Sequence, residues 1–123
     1  MTKSLAFRPQ EHLRRPSDFR RVYDRRRSAG DERLVVYGCE NNLPYSRLGL
    51  SVSRKVGPAV YRNRLRRLYR EAFRLTRAQL ASGLDLVLIP RGTEPPTQAE
   101  LLQSLPKLVA QVARKLGRDA ETK

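Results

Sequence analysis

A chain of 123 residues is long enough for one compact domain with a single modest core. Its 26 Lys and Arg against 12 Asp and Glu give a formal net charge of +14, and hydrophobic residues at 39% exclude a disordered polyelectrolyte. No apolar run approaches the ~20 residues that cross a bilayer, no signal-like segment opens the chain, and the single Cys39 rules out an internal disulfide, so the expectation is a cytoplasmic protein without membrane contact.

The first dozen residues read as extended and loosely held. Pro16-Ser17-Asp18 opens a short helix that places Phe19, Val22 and Tyr23 at i, i+3 and i+4 on one face. Arg25–Asp31 is predicted to be a basic, flexible loop, and Leu34–Cys39 a strand rich in β-branched residues. After a turn at Asn41–Pro44, Arg47–Ser53 alternates as a second strand, expected to pair antiparallel with the first as a hairpin. A long helix is predicted from about Pro58 to about Leu75, with proline at the first helical position, where its missing N–H does no harm. Ala81-Ser82-Gly83 stops the chain before Leu84–Pro90, an almost wholly apolar run and hence a well-covered strand. Arg91–Pro96 is a loop, and Thr97 with Glu100 has the spacing of a capping box. The last helix carries Leu101, Leu102, Leu105, Leu108, Val109, Val112 and Leu116 at helical spacing and is expected to end near Gly117. The order helix, strand, strand, helix, strand, helix predicts an α+β sandwich, helices on a small sheet. It forms a single domain over 1–123, with 1–12 and 118–123 flexible.

Excess charge is concentrated in two stretches. Residues 1–27 carry nine Lys and Arg and a net +6; residues 54–74 carry eight and a net +7; the remaining 75 residues sum to +1. Such crowding costs stability through self-repulsion unless a polyanion compensates it. Arginine outnumbers lysine heavily, which suits bidentate phosphate contacts. On a wheel of the long helix, Tyr61, Leu65, Leu68, Tyr69, Ala72 and Leu75 form one arc and predict the core face. Arg62, Arg66, Arg70 and Arg74 form an i, i+4 row on the other side, with Asn63 and Arg67 beside it. Like charges four apart repel by a few tenths of a kcal/mol per pair, and only Glu71 opposes them, so this face is a surface kept for binding. The Asn63 amide has two readings, a contact to a base edge or phosphate and a local cap.

The chain holds little chemistry of its own. Its acids are scattered among arginines, His12 is the only histidine and lies in a mobile basic stretch, and Ser51 and Ser53 have no histidine to activate them.

The run Ser53-Arg54-Lys55-Val56-Gly57-Pro58-Ala59-Val60-Tyr61-Arg62-Asn63-Arg64-Leu65-Arg66-Arg67-Leu68-Tyr69-Arg70-Glu71-Ala72-Phe73-Arg74 resembles the signature of the bacterial ribonuclease P protein subunit, whose hallmark is an Arg-Asn-Arg triplet after a K-x-G-x-A-V stretch. Phe19 and Tyr23, the strand bearing Tyr37, and Arg47–Ser53 extend the likeness over most of the chain; Pro58 stands where the family commonly has Asn. The resemblance implies an α/β sandwich with a central sheet of about four strands and an unusual left-handed β-α-β crossover. It also implies a protein that binds one catalytic RNA subunit and the 5′ leader of precursor tRNA. In that arrangement the RNA hydrolyses the phosphodiester and holds the magnesium ions, while the protein carries no catalytic residue and binds no cofactor alone. Carried onto this chain, Arg54, Lys55, Arg62, Asn63, Arg64, Arg66, Arg67, Arg70 and Arg74 would contact RNA. Phe19, Tyr23, Tyr37 and Ser51 would line a cleft for the single-stranded leader; without the resemblance, Phe19 and Tyr23 read as a packing pair. The alternative is a ribosomal or general structured-RNA-binding protein. A DNA reader is disfavoured because the helix face is nearly all arginine.

Overall fold

The computed structural model describes residues 8–92 and 94–121. Its elements are α1 (Pro16–Asp24), β1 (Ser28–Gly30), β2 (Leu34–Glu40), β3 (Arg47–Leu50), α2 (Ala59–Thr76), β4 (Leu84–Pro90) and α3 (Gln98–Glu121). The four strands form one mixed sheet in the order β1-β2-β4-β3. Strands β1 and β2 are antiparallel, β2 and β4 are antiparallel, and β3 runs parallel to β4, with Leu48 opposite Leu86 and Leu50 opposite Leu88. The unit β3-α2-β4 is therefore a β-α-β crossover between neighbouring strands.

Two expectations are corrected here. The β2-β3 hairpin does not form, because β4 takes the place between them. Leu84–Leu88 are buried one after another, and a strand apolar on both faces gains most from a central position. The segment 41–46 serves that arrangement: the Asn41 N–H donates to the Gly83 carbonyl, and the Ser46 hydroxyl bridges the Ala81 carbonyl and the Leu84 N–H. Within the expected basic loop, Ser28–Gly30 forms the edge strand β1. These residues have little strand propensity; pairing with β2 imposes the conformation, and Asp31 Oδ1 closes the turn by accepting the Arg33 and Leu34 N–H groups at 2.8 and 3.1 Å.

One sheet face packs Leu34, Val36, Leu48, Leu86 and Leu88 against α2 and α3 in the main core. The capping box forms as expected: the Thr97 hydroxyl accepts the Glu100 N–H and Glu100 accepts the Thr97 N–H. Helix α3 continues past Gly117 to Glu121, and Asp119 accepts hydrogen bonds from Arg25 and Arg27 at 2.6–2.9 Å. At the other end, residues 9–11 form a 3-10 turn, and Glu11 is buried in an ion pair with Arg77 at 3.1 Å. Residues 12–13 then lie along the β3 edge, with the Leu13 N–H donating to the Leu48 carbonyl at 2.9 Å. Of the stretches expected to be flexible, residues 9–12 and 118–121 thus make defined contacts, while 1–7 and 122–123 lie outside the described residues.

The core face of α2 is turned from the expected arc by roughly 45°, about half of one residue's step. Leu65, Tyr69, Ala72, Phe73 and Thr76 are buried, Tyr61 and Leu68 are half-buried, and Leu75 is 40% exposed. Phe73 decides the rotation, since the largest apolar ring gains most from burial. Thr76 can follow because its hydroxyl donates to the Ala72 carbonyl at 2.7 Å.

Candidate nucleic-acid interface

Rotation of α2 sorts its cations. Asn63, Arg64, Arg67 and Arg70 are exposed, while Arg62, Arg66 and Arg74 are half-buried along the flanks. Arg62 Nε donates to the Gly57 carbonyl at 3.1 Å, and Arg66 donates to the Asn63 amide oxygen at 2.9 Å. That second contact places the Asn63 carbonyl within its own helix. Arg74 forms a two-pronged pair with Glu71, which lowers the Glu71 carboxyl from its ordinary value through that hydrogen bond. Arg54 and Lys55 are exposed on a 3-10 turn that leads into the helix, so all nine residues expected to meet RNA lie on α2 or directly before it. Val60, 75% exposed among these cations, was not anticipated.

The two basic stretches differ in how far they are neutralised. In the first, Arg21 pairs with Asp85, Arg25 with Glu40 and Asp119, and Arg27 with Asp119. These hydrogen bonds hold the Asp119 carboxyl down at about 2, Arg27 contributing most. In the second, Glu71 is the sole carboxylate engaged, and Arg54, Lys55, Arg62, Arg64, Arg66, Arg67 and Arg70 have no acid within ion-pair distance among the described residues. A broad groove of about 630 Å³ runs along Arg64, Arg67, Arg70 and Arg74.

The opposite sheet face is covered only in part. Successive rows across it read Cys39–Asp85–Arg47, then Tyr37–Val87–Gly49, then Val35–Ile89. Ser51 continues the last row, its N–H donating to the Leu88 carbonyl at 3.0 Å. Helix α1 lies over the first two rows. Val22, buried, joins Leu13, Cys39 and Val87 in a second small cluster. An ionic latch fixes the helix: Asp85, fully buried, accepts Arg47 at 2.8 and 2.6 Å, Asn41 at 2.9 Å, and Arg21 from α1. The Phe19 ring rests on Gly49, where any Cβ would come within 2.7 Å of it. Tyr23 and Tyr37 meet edge to face, centroids 5.2 Å apart.

Phe19, Tyr23, Tyr37 and Ser51 are all half-buried and share this face, with Val35 and Ile89 half-buried beside them. Phe19 and Tyr23 therefore pack on the sheet while part of each ring stays exposed. Sequence reasoning missed Val35 and Ile89 as floor residues, and Asp85, Arg47 and Arg21 as the latch. A lone acid inside the apolar run Leu84–Pro90 was the available signal. Among the described residues, no three His, Cys, Asp or Glu side chains converge as a metal site would require.

Residues 7–113 match the Ribonuclease P family. The chain is similar to the ribonuclease P protein component of Clostridioides difficile, 44% identical over 88 residues that cover 71% of this chain and 77% of that one. It is likewise similar to the component of Lachnoclostridium phytofermentans, 41% identical over 96 residues that cover 77% and 83%. The solved RNase P protein from Thermotoga maritima shares the fold with a TM-score of 0.71 at 36% identity, over 80% of this chain and 97% of that one. The Staphylococcus aureus RNase P protein does so with a TM-score of 0.71 at 32% identity, over 84% and 94%. With the family match, the relatives and the solved folds in agreement, the chain belongs to the ribonuclease P protein family.

Proposed function

We propose that this protein is the accessory subunit of ribonuclease P and acts by binding at two surfaces while an RNA subunit performs the hydrolysis. The arginine face of α2, with Arg54 and Lys55, docks on phosphates of the RNA subunit. The carrying observation is the uneven neutralisation: Arg21, Arg25, Arg27, Arg33, Arg47 and Arg77 pair with acids elsewhere in the chain, whereas among the described residues Arg74 alone of the cations on this face does. An RNA backbone removes the resulting repulsion and releases counterions.

The half-open sheet face beside α1 receives the single-stranded 5′ leader of precursor tRNA. Stacking on Phe19, Tyr23 or Tyr37 supplies about 1–3 kcal/mol per base and accepts any base, which suits a leader without fixed sequence. The Asp85 latch fixes α1 beside this face. Magnesium belongs to the RNA in this reading, and the protein raises substrate affinity without entering the chemical step. One protein joins one RNA, in the cytoplasm.

Reconstitution tests the reading. The chain, added to a bacterial ribonuclease P RNA at low magnesium, should restore cleavage of precursor tRNA at the mature 5′ end. Binding to that RNA without restored cleavage would favour the general structured-RNA-binding alternative. Cleavage by the protein alone would overturn the division of labour.

A further inference from the structure

The strap along the β3 edge sends alternate side chains to opposite sides. Leu13 packs under α1 beside Gly49, on the aromatic side of the sheet. His12 and Arg14 border instead a cavity of about 290 Å³, which Leu48 and Leu50 of β3 and Arg66 and Arg70 of α2 complete. His12 also borders the broad groove along Arg64, Arg67 and Arg74, so it stands where the two recesses meet. Among the described residues that line the two recesses, the charged groups are Arg14 on its own segment and Arg64, Arg66, Arg67, Arg70, Glu71 and Arg74 on α2, with the neutral Gln98 from α3; Glu11 precedes His12 in the chain. Both acids are engaged elsewhere, Glu11 by Arg77 and Glu71 by Arg74. Arg14, Arg66 and Arg70 have no carboxylate partner among the described residues.

Three guanidiniums around a small recess match the oxygens of a tetrahedral oxyanion, which planar forks bind in pairs. Imidazole adds a property that arginine lacks, a charge that changes near neutral pH. A phosphate entering the recess places negative charge beside it and favours the protonated ring. We propose that this recess binds a backbone phosphate of the RNA partner, anchored by Arg14, Arg66 and Arg70, with His12 taking up one proton from water as the phosphate enters. The inference rests on the RNA-binding reading for the source of the phosphate. It places the strap between the arginine helix and the aromatic face, so a strand crossing from one to the other passes over it.

Because the chain has one histidine, the imidazole Hε1 proton of the untagged full-length protein gives a single resonance. The probe is inorganic sulfate, a tetrahedral anion that does not titrate near neutrality, against chloride at equal ionic strength. Sulfate should raise the midpoint of the His12 titration by roughly one unit. The rise should vanish in Arg14→Gln and in Arg70→Gln, both exposed positions whose folding is checked by circular dichroism. A midpoint equal in sulfate and chloride overturns the proposal, as does a rise that survives both substitutions. In a second arm, affinity for the RNA subunit should increase as pH falls from about 7.5 to 6, by up to tenfold per unit for one proton, and His12→Gln should flatten the dependence. Parallel slopes overturn the proposal. A protein that restores precursor-tRNA cleavage while its His12 ignores sulfate refutes the recess alone. A sulfate response without restored cleavage refutes the functional reading alone.

Discussion

Asp85→Asn withdraws one negative charge from a position closed to solvent. Its carboxylate accepts the Arg47 fork at 2.8 and 2.6 Å, the Asn41 amide at 2.9 Å and the Arg21 guanidinium. Removing one member of a buried ion pair costs about 3–5 kcal/mol, because the partner charge stays behind without compensation. Arg47 is 22% exposed and Arg21 is 42% exposed, so both can turn toward water, and the low end of that range applies, about 3 kcal/mol. For a domain of this size that lowers the melting temperature by about 10 °C. Urea denaturation followed by circular dichroism should show an earlier midpoint with an unchanged slope. Acid supplies a second reading. Burial pushes the Asp85 carboxyl up, but hydrogen bonds from Arg47, Asn41 and Arg21 outweigh it and hold the group below the usual carboxylate range. Its stabilisation is therefore complete above the unfolded value of about 3.9 and fades as pH falls toward the folded one. Wild type and variant should differ fully at neutral pH and converge below about pH 4. A loss under about 1 kcal/mol at neutral pH, the worth of an exposed pair, would refute the latch.

Replacing Arg64, Arg67 and Arg70 together with Ala should change stability by no more than about 0.5 kcal/mol per site. It should also reduce the slope of log affinity against log salt by about 0.9 for each duplex phosphate that is no longer neutralised, measured on the RNA subunit. An unaltered slope would remove this face from the interface. Phe19→Ala should weaken binding of leader-bearing precursor by about 1–3 kcal/mol and leave mature tRNA unaffected in parallel titrations, whereas equal losses would count against the cleft. Tyr69→Phe should stabilise the fold by up to about 1 kcal/mol in thermal denaturation, since the Tyr69 hydroxyl is buried with no hydrogen-bond partner among the described residues. Destabilisation would mean that the hydroxyl has a partner.

Local signals in the chain account for the elements whose own residues decide them. Strand β4 follows from an apolar run, the α3 start from Thr97 and Glu100, and α2 from a long arginine and leucine periodicity. Pairing was less accessible, because it depends on competition among strands. Nothing within Leu34–Cys39 or Arg47–Ser53 reveals that both prefer β4 to each other. Strand β1 is legible only through its partner, since Ser28-Ala29-Gly30 has no strand character alone. The wheel put Arg70 on the outside, where it is, but misjudged the seam by half a step, because angular position does not weigh a phenylalanine against a leucine; Arg62, Arg66 and Arg74, expected outside with it, are half-buried. In the candidate site, the basic face was readable from charge density. The latch was not, because Arg21, Arg47 and Asp85 are distant in sequence and their meeting depends on the sheet order.

A strand at the margin of a sheet is a template on which another chain can assemble. Here β3 is such a strand, and residues 12–13 occupy its outer side. Deleting the chain through Leu13 would therefore do more than shorten an extension: it would bare a self-complementary border and invite sheet-to-sheet growth between molecules. The short strap thus guards solubility in a protein whose other means of staying dispersed, its positive charge, is cancelled once a polyanion binds.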